Sequence, residues 1–148
     1  MFRGSSSHTI DPKGRIIIPA RFREIIRAKN SDGLMISSLD RCLVAYTYDE
    51  WSKIEGRILA KAERSDAMRR FRRIFIGGAF NCACDKQDRI LIPAPLRKYG
   101  ALAKKIVLVG VLDHFEIWSG DNWEAENRQL EEDLQQEDVR NEIAGLGL

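Results

Sequence analysis

The chain states one motif twice. "DPKGRIIIPARFR" (Asp11 to Arg23) and "DKQDRILIPAPLR" (Asp85 to Arg97) align at an offset of 74 residues, with seven identities in thirteen positions. The agreement continues with a small drift. "LDRCLVAY" (Leu39 to Tyr46) matches "LDHFEIWS" (Leu112 to Ser119), and Trp51 answers Trp123. A repeat constrains the fold more than any single motif, because both copies must form the same local structure and bury the same positions. The 148 residues then suit one domain of ordinary size or two small halves sharing one core.

Each copy reads as strand, turn, strand, helix, strand, turn, strand, helix. In the first, "SSHTI" is a short strand. "DPKG" is a turn with Asp, Pro and Gly at the positions a type I turn favours. "RIIIP" is β-branched and uniformly apolar, which predicts a strand covered on both faces. "ARFREIIRA" sets Phe22, Ile25 and Ile26 at helical spacing. "LMISSL" and "CLVAYT" make a hairpin, and Asp49 is placed to cap a helix with Trp51, Ile54 and Ile58 on one face. The second copy repeats the plan, with a short helix ended by Gly100 and a last helix capped by Asp121 or Ser119. Between the copies, Ser65 caps a helix whose apolar face is Met68, Phe71, Ile74 and Phe75 and which stops at Gly77-Gly78. The expected organisation is a first module over residues 5–51, a helical linker over 52–80, a second module over 81–124 and an acidic helical tail over 125–148.

Charge is unevenly spread. From Glu124 onward, eight acids face two arginines, so a chain of net charge +2 has a body of +8 and a tail of −6. A basic body with an acidic tail is a recurrent layout in nucleic-acid binders and also occurs elsewhere. The tail reads as a fraying, solubilising helical extension. The start "MFRGSSSHTI" has no apolar leader core, and no apolar run is long enough to span a bilayer. Three cysteines make no disulfide framework, so cytosolic residence is expected.

The turn before "RIIIP" is the candidate for chemistry. Across a short hairpin loop, Asp11 and Arg15 are cross-strand neighbours, and the carboxylate orients the guanidinium through a charge-assisted hydrogen bond. Lys13 and Gly14 sit at the tip. Such a device fits phosphate oxygens or a guanine edge. It also fits a plain surface ion pair that shapes the turn. "RRFRR" (Arg69 to Arg73) reads as a solvated face or a site for acids of another subunit, and the three tryptophans as packing. Cys82, Cys84 and His114 lack metal-site spacing. No phosphate loop or nucleophile elbow is present, so the chain is not read as an enzyme and no cofactor is assigned.

"MFRG", "DPKGRIIIPARFRE", "RRFRRIFIGGA", "CDKQDRILIPAPLRKY" and "KIVLVGVLDHFEIW" together resemble the MraZ family of bacterial transcriptional regulators, in the family's order and over four-fifths of the chain. Each half resembles a SpoVT-AbrB module. The resemblance implies an α+β fold of duplicated swapped-hairpin, AbrB-like β-barrel modules with flanking helices and an internal pseudo-two-fold. It implies a nucleoid-associated regulator that binds double-stranded DNA at direct repeats upstream of its own gene, in the division and cell-wall cluster. It also implies self-assembly into a homo-oligomeric ring. The family's DNA-binding turn falls here on Asp11, Lys13, Gly14 and Arg15, with Arg3 as a neighbour. The second turn departs from the family pattern: Asp88 stands where glycine is usual, and a carboxylate there repels phosphate. Lys86 and Arg89 are therefore second-rank candidates, with Arg89 expected to support structure or a subunit contact. The alternative function is an oligomeric scaffold or antitoxin-like partner without direct DNA readout.

Overall fold

A computed structural model describes residues 1–61 and 65–148. Residues Ala62, Glu63 and Arg64, where the expected linker helix is approached, lie outside the described residues. The chain runs β1 (Ser5–Thr9), β2 (Arg15–Ile17), α1 (Ala20–Ala28), β3 (Gly33–Leu39), β4 (Cys42–Tyr46) and α2 (Tyr48–Ala60). After α3 (Asp66–Gly77) the plan recurs as β5 (Phe80–Ala83), β6 (Arg89–Leu91), α4 (Ala94–Tyr99), β7 (Lys105–Gly110), β8 (Phe115–Ser119) and α5 (Gly120–Asp133), followed by α6 (Glu137–Ala144). The order of elements matches the sequence reading in both copies.

The strands do not pair as the sequence order suggests. An antiparallel sheet of six strands has the order β1-β7-β8-β4-β3-β5, and β2 pairs with β6 in a separate two-stranded ribbon. Replace each strand by its repeat counterpart and the six-strand order reads the same from the other end. The first strand of each copy leaves its own copy. β1 runs beside β7 from Ser5↔Val109 to Thr9↔Lys105, and β5 runs beside β3 from Gly33↔Ala83 to Ile36↔Phe80. The halves are joined again in the middle by β4 and β8, through Val44↔Glu116. The fold is α+β as expected, with a six-stranded antiparallel sheet and a two-stranded ribbon; among the described residues the ladders close no barrel of the kind anticipated.

Two apolar layers flank the sheet. One side is closed by the ribbon, α1 and α4 over Ile16, Ile18, Phe22, Ile90, Ile92 and Leu96, all buried. On the other side α2, α3 and α5 cover Val44, Trp51, Phe75 and Trp118. Central β4 is buried along its whole length because successive side chains point into alternate layers. Phe2 joins the first layer, with ring centroids 5.2 Å from Phe22 and 5.3 Å from Phe115. Its backbone exchanges two hydrogen bonds of 2.8 Å with Leu112. The opening residues of "MFRG" thus latch the N-terminus to the second half.

Four local expectations change. The ribbon is not covered on both faces: Ile16 and Ile18 are buried, whereas Ile17 and its counterpart Leu91 are each 55% exposed. A two-stranded ribbon lying on a core has one wet face however apolar its sequence. Thr47, not Asp49, caps α2, its hydroxyl accepting from the Glu50 N–H at 3.4 Å; Asp49 sits in the first turn, where a negative charge favours the helix dipole. In α3, Ser65 caps as read, accepting from Met68 N–H at 3.1 Å. Its inward face, however, is Phe71 and Phe75, with Ile76 also packed against the core. Ile74 is 63% exposed, because it lies about 100° around the helix from Phe75. Finally, the tail is not one continuous extension: it breaks after α5 and forms α6.

Candidate nucleic-acid interface

The turn before β2 is closed from within. The Gly14 N–H donates to the Asp11 carbonyl at 2.9 Å and the Asp11 N–H to the Arg15 carbonyl at 3.0 Å. Asp11 Oδ1 accepts from the backbone N–H groups of Lys13 and Arg15, both at 2.9 Å, and Oδ2 accepts from Arg15 Nε at 2.6 Å. The Arg15 backbone N–H, then its guanidinium, holds the Asp11 carboxyl below the usual carboxylate range. Gly14 takes φ +88°, the left-handed region that glycine enters freely. The paired residues are those expected, but no β1–β2 ladder frames them: β1 departs to β7, and the carboxylate itself ties the turn together.

The second turn is a copy in atomic detail. Asp85 Oδ1 accepts from Gln87 N–H at 2.8 Å and Arg89 N–H at 2.9 Å, and Oδ2 accepts from Arg89 Nε at 2.9 Å. Asp88 adopts φ +60° in glycine's place, a conformation Asp tolerates better than most residues. Its carboxylate is engaged by α1: Arg27 Nη2 donates to Oδ1 at 2.9 Å, and Arg23 Nε stands 3.4 Å from Oδ2. The charge that argued against this turn is therefore compensated by two guanidinium groups.

The surroundings differ between the turns. Arg97, the repeat counterpart of Arg23, reaches over Gly14, where an added Cβ would strike its guanidinium. Arg97 and Lys104 line a cleft with Asp11 and Pro12. The corresponding cleft at the second turn contains Arg23 and Arg27 but also Asp32, Asp85 and Asp88. The first turn thus has the more positive neighbourhood. Arg3 is not brought to it. It is exposed beyond the far end of β1, roughly 20 Å of strand away at ordinary strand rise. Lys13 and Lys86 are exposed at the two tips.

Register places both arginines on one surface. In the ribbon Arg15 lies opposite Leu91, and Ile17 opposite Arg89. Because Ile16 and Ile90 point inward, these four face outward together. Sequence reasoning missed this pairing, and it missed Arg97 and Lys104. The repeat held part of the signal, since Arg23 and Arg97 are among its identities.

The family model described as MraZ protein, antitoxin-like, matches the chain twice, over residues 1–74 and 75–142. The chain belongs to the MraZ family. It is 60% identical over 148 residues to the "Transcriptional regulator MraZ" of Desulforapulum autotrophicum, covering the whole of both chains. Identity to the protein of the same name from Desulfosudis oleivorans is 51%, again over the whole of both chains. For that of Syntrophobacter fumaroxidans it is 41%, over 99% of this chain and 97% of the relative. The double match of the MraZ model corresponds to the two copies of the pinned-arginine turn.

Elsewhere, the thiols sit in apolar packing. Burial pushes the Cys82 thiol up to about 11 and raises that of Cys42 further. Among the described residues no cluster of His, Cys, Asp and Glu is arranged to hold a metal ion, and no helix is long and apolar enough to cross a membrane.

Proposed function

We propose that this chain is a sequence-specific, DNA-binding transcriptional regulator that acts through the Asp11–Arg15 turn. The observation that carries the reading is the guanidinium of Arg15. Asp11 holds it through Nε at 2.6 Å, and the Arg15 side chain keeps 30% exposure. A pre-oriented arginine with unspent donors can take a phosphate or the O6/N7 edge of guanine at little entropic cost. The positive cleft of Arg97 and Lys104 beside it, and full-length relatives named transcriptional regulators, support the same reading.

The finer picture follows from the resemblance. The strand exchange between halves is read as a swapped-hairpin architecture, with residues 5–51 and 81–124 as its modules, 52–80 as linker and 125–148 as tail. A single small module buries only about 600–1,000 Å² on DNA, which gives weak binding. A homo-oligomeric ring presenting several Arg15 turns to direct repeats upstream of the chain's own gene, in a division and cell-wall cluster, turns weak contacts into avidity. Such a regulator works in the cytoplasm, on the nucleoid.

The test is a gel-shift titration with a duplex from immediately upstream of the gene. Arg15→Ala is expected to lose roughly 1–3 kcal/mol per occupied site while the assembly mass is unchanged. Undiminished affinity refutes the assignment. Absence of any shift by the parent protein, together with a tight protein partner, favours the antitoxin-like scaffold instead.

A further inference from the structure

We infer that helix α6 of one copy seats in the groove between α2 and α3 of another copy, so that the acidic tail is the connector between copies. The inference rests on the self-assembly part of the reading above and is independent of the Arg15 turn. It is carried by two surfaces of the chain, a groove and a helix, whose apolar and charged groups match.

The groove has a volume of about 330 Å³ and is walled by Ile54 and Ile58 of α2 and by Met68, Phe71 and Phe75 of α3. It is open in the single chain, where Met68 is 41% exposed. Arg57 and Lys61 border it on α2, four residues and therefore about 6 Å apart along the helix. Both are exposed, and among the described residues the side chain of neither makes a hydrogen bond or ion pair. The other wall, α3, carries four more arginines between Arg69 and Arg73.

The tail supplies the complement. Neither apolar cluster of the body includes a residue beyond Trp123. On α6, Val139 and Ile143 are half-buried and share one stripe, which Leu146 continues at 77% exposure. Positions i, i+4 and i+7 are the anchors with which an amphipathic helix lies in an apolar groove. Asp138 and Glu142 border this stripe, again four residues apart, and among the described residues neither carboxylate pairs with a cation. Two carboxylates thus match two cations at one spacing of about 6 Å, with aliphatic side chains beside both pairs. Arg140, on the other border of the stripe, has its counterpart in Asp113 of the groove. Residues 131–142 hold six acids and one arginine, whereas the body carries +8, so charge selects the tail as the occupant.

The occupant comes from another copy. The tail starts with α5 at the Ser119 end of β8, and Arg41 holds α5 beside the β3–β4 turn through Glu126 at 3.4 Å. The groove's Tyr46 and Asp113 lie at the opposite ends of β4 and β8, and among the described residues none from the tail lines it. A contact between two different patches is head-to-tail, so each copy gives one tail and receives one.

The experiment measures the assembly mass of the full chain by sedimentation. The double variant Arg57→Glu, Lys61→Glu is expected to lose the parent assembly, and so is the double variant Asp138→Lys, Glu142→Lys. An equimolar mixture of the two pairs each reversed tail with a reversed groove and is expected to recover an assembly. In the parent protein, a carbodiimide is expected to join Lys61 to Asp138 or Glu142, and the linked peptide should come from the two-chain band of a denaturing gel. Parent mass in either double variant, or a mixture that stays dissociated, overturns the inference while the parent protein's own assembly keeps the broader reading in place. The linked peptide in the one-chain band alone overturns it too, by placing the tail on its own groove. If the parent protein sediments as single chains at every concentration, the inference and the self-assembly reading fall together, and the gel shift with Arg15→Ala still judges DNA binding. The cross-link needs no variant: its absence from the assembled parent protein overturns the inference even where a variant misfolds.

Discussion

At the scale of single residues, the two aspartates that open the turns do more than balance charge. Each accepts two backbone N–H groups and one guanidinium N–H, so the carboxylate substitutes for a strand ladder that is absent. The backbone N–H of the arginine, ahead of its side chain, is what lowers each aspartate's pKa. A group whose pKa is depressed in the fold stabilises it at pH values above its unfolded pKa and loses that contribution as pH falls through the folded one. Both turns should therefore loosen in acid. The difference in melting temperature between the parent protein and Asp11→Asn is expected to be largest near neutrality and to shrink below about pH 4. A difference that stays constant from neutral to acid pH would show that the charge of Asp11 is irrelevant to the turn.

At the scale of elements, the ribbon separates two roles within three consecutive isoleucines. Ile16 and Ile18 sit in the core at 1% and 0% exposure, so truncating either to alanine should cost about 2–5 kcal/mol. Ile17 contributes little to the core, and Ile17→Ala should shift stability by no more than about 0.5 kcal/mol. Denaturant midpoints of the three variants check this, and equal losses at all three positions would contradict the register. The isoleucine run was legible as a strand. Its wet face was not, because apolarity reports what a residue tolerates and only the partner strand and the layer beneath determine which side is covered. The same distinction explains α3: its helical period was readable, but Ile74 could be placed outside only once the sheet beneath Phe71 and Phe75 was known.

For the whole molecule, exchange of β1 and β5 makes the halves interdependent. A fragment ending before β5 leaves β3 without a neighbour on one edge and β1 without β7. Residues 1–79 alone are expected to be unfolded when dilute and to gain structure only by pairing with a second copy. Their helical signal by circular dichroism should therefore depend on protein concentration, whereas a concentration-independent cooperative melt would show that one half suffices. Charge acts at this scale as well. On the proposed DNA-binding reading, a body of +8 releases counterions from the duplex, and each neutralised phosphate contributes about −0.9 to the slope of log K against log salt. Titrations at several salt concentrations should show a steep decline, and a flat response would remove DNA backbone contact from the account.

The repeat by itself determined the order of elements, the Asp11–Arg15 and Asp85–Arg89 pairs and the family resemblance, because these depend on residues near one another in the chain. Which strands meet depended on contacts far apart in sequence: β1 with β7, β2 with β6, and Asp88 with Arg23 and Arg27. Backbone hydrogen bonding is blind to side-chain identity, so two equivalent hairpins can pair within or across copies with the same sequence. The crossed arrangement closes a common core in which Phe2, Phe22 and Phe115 pack together, and it forms the single outward face that carries both arginines.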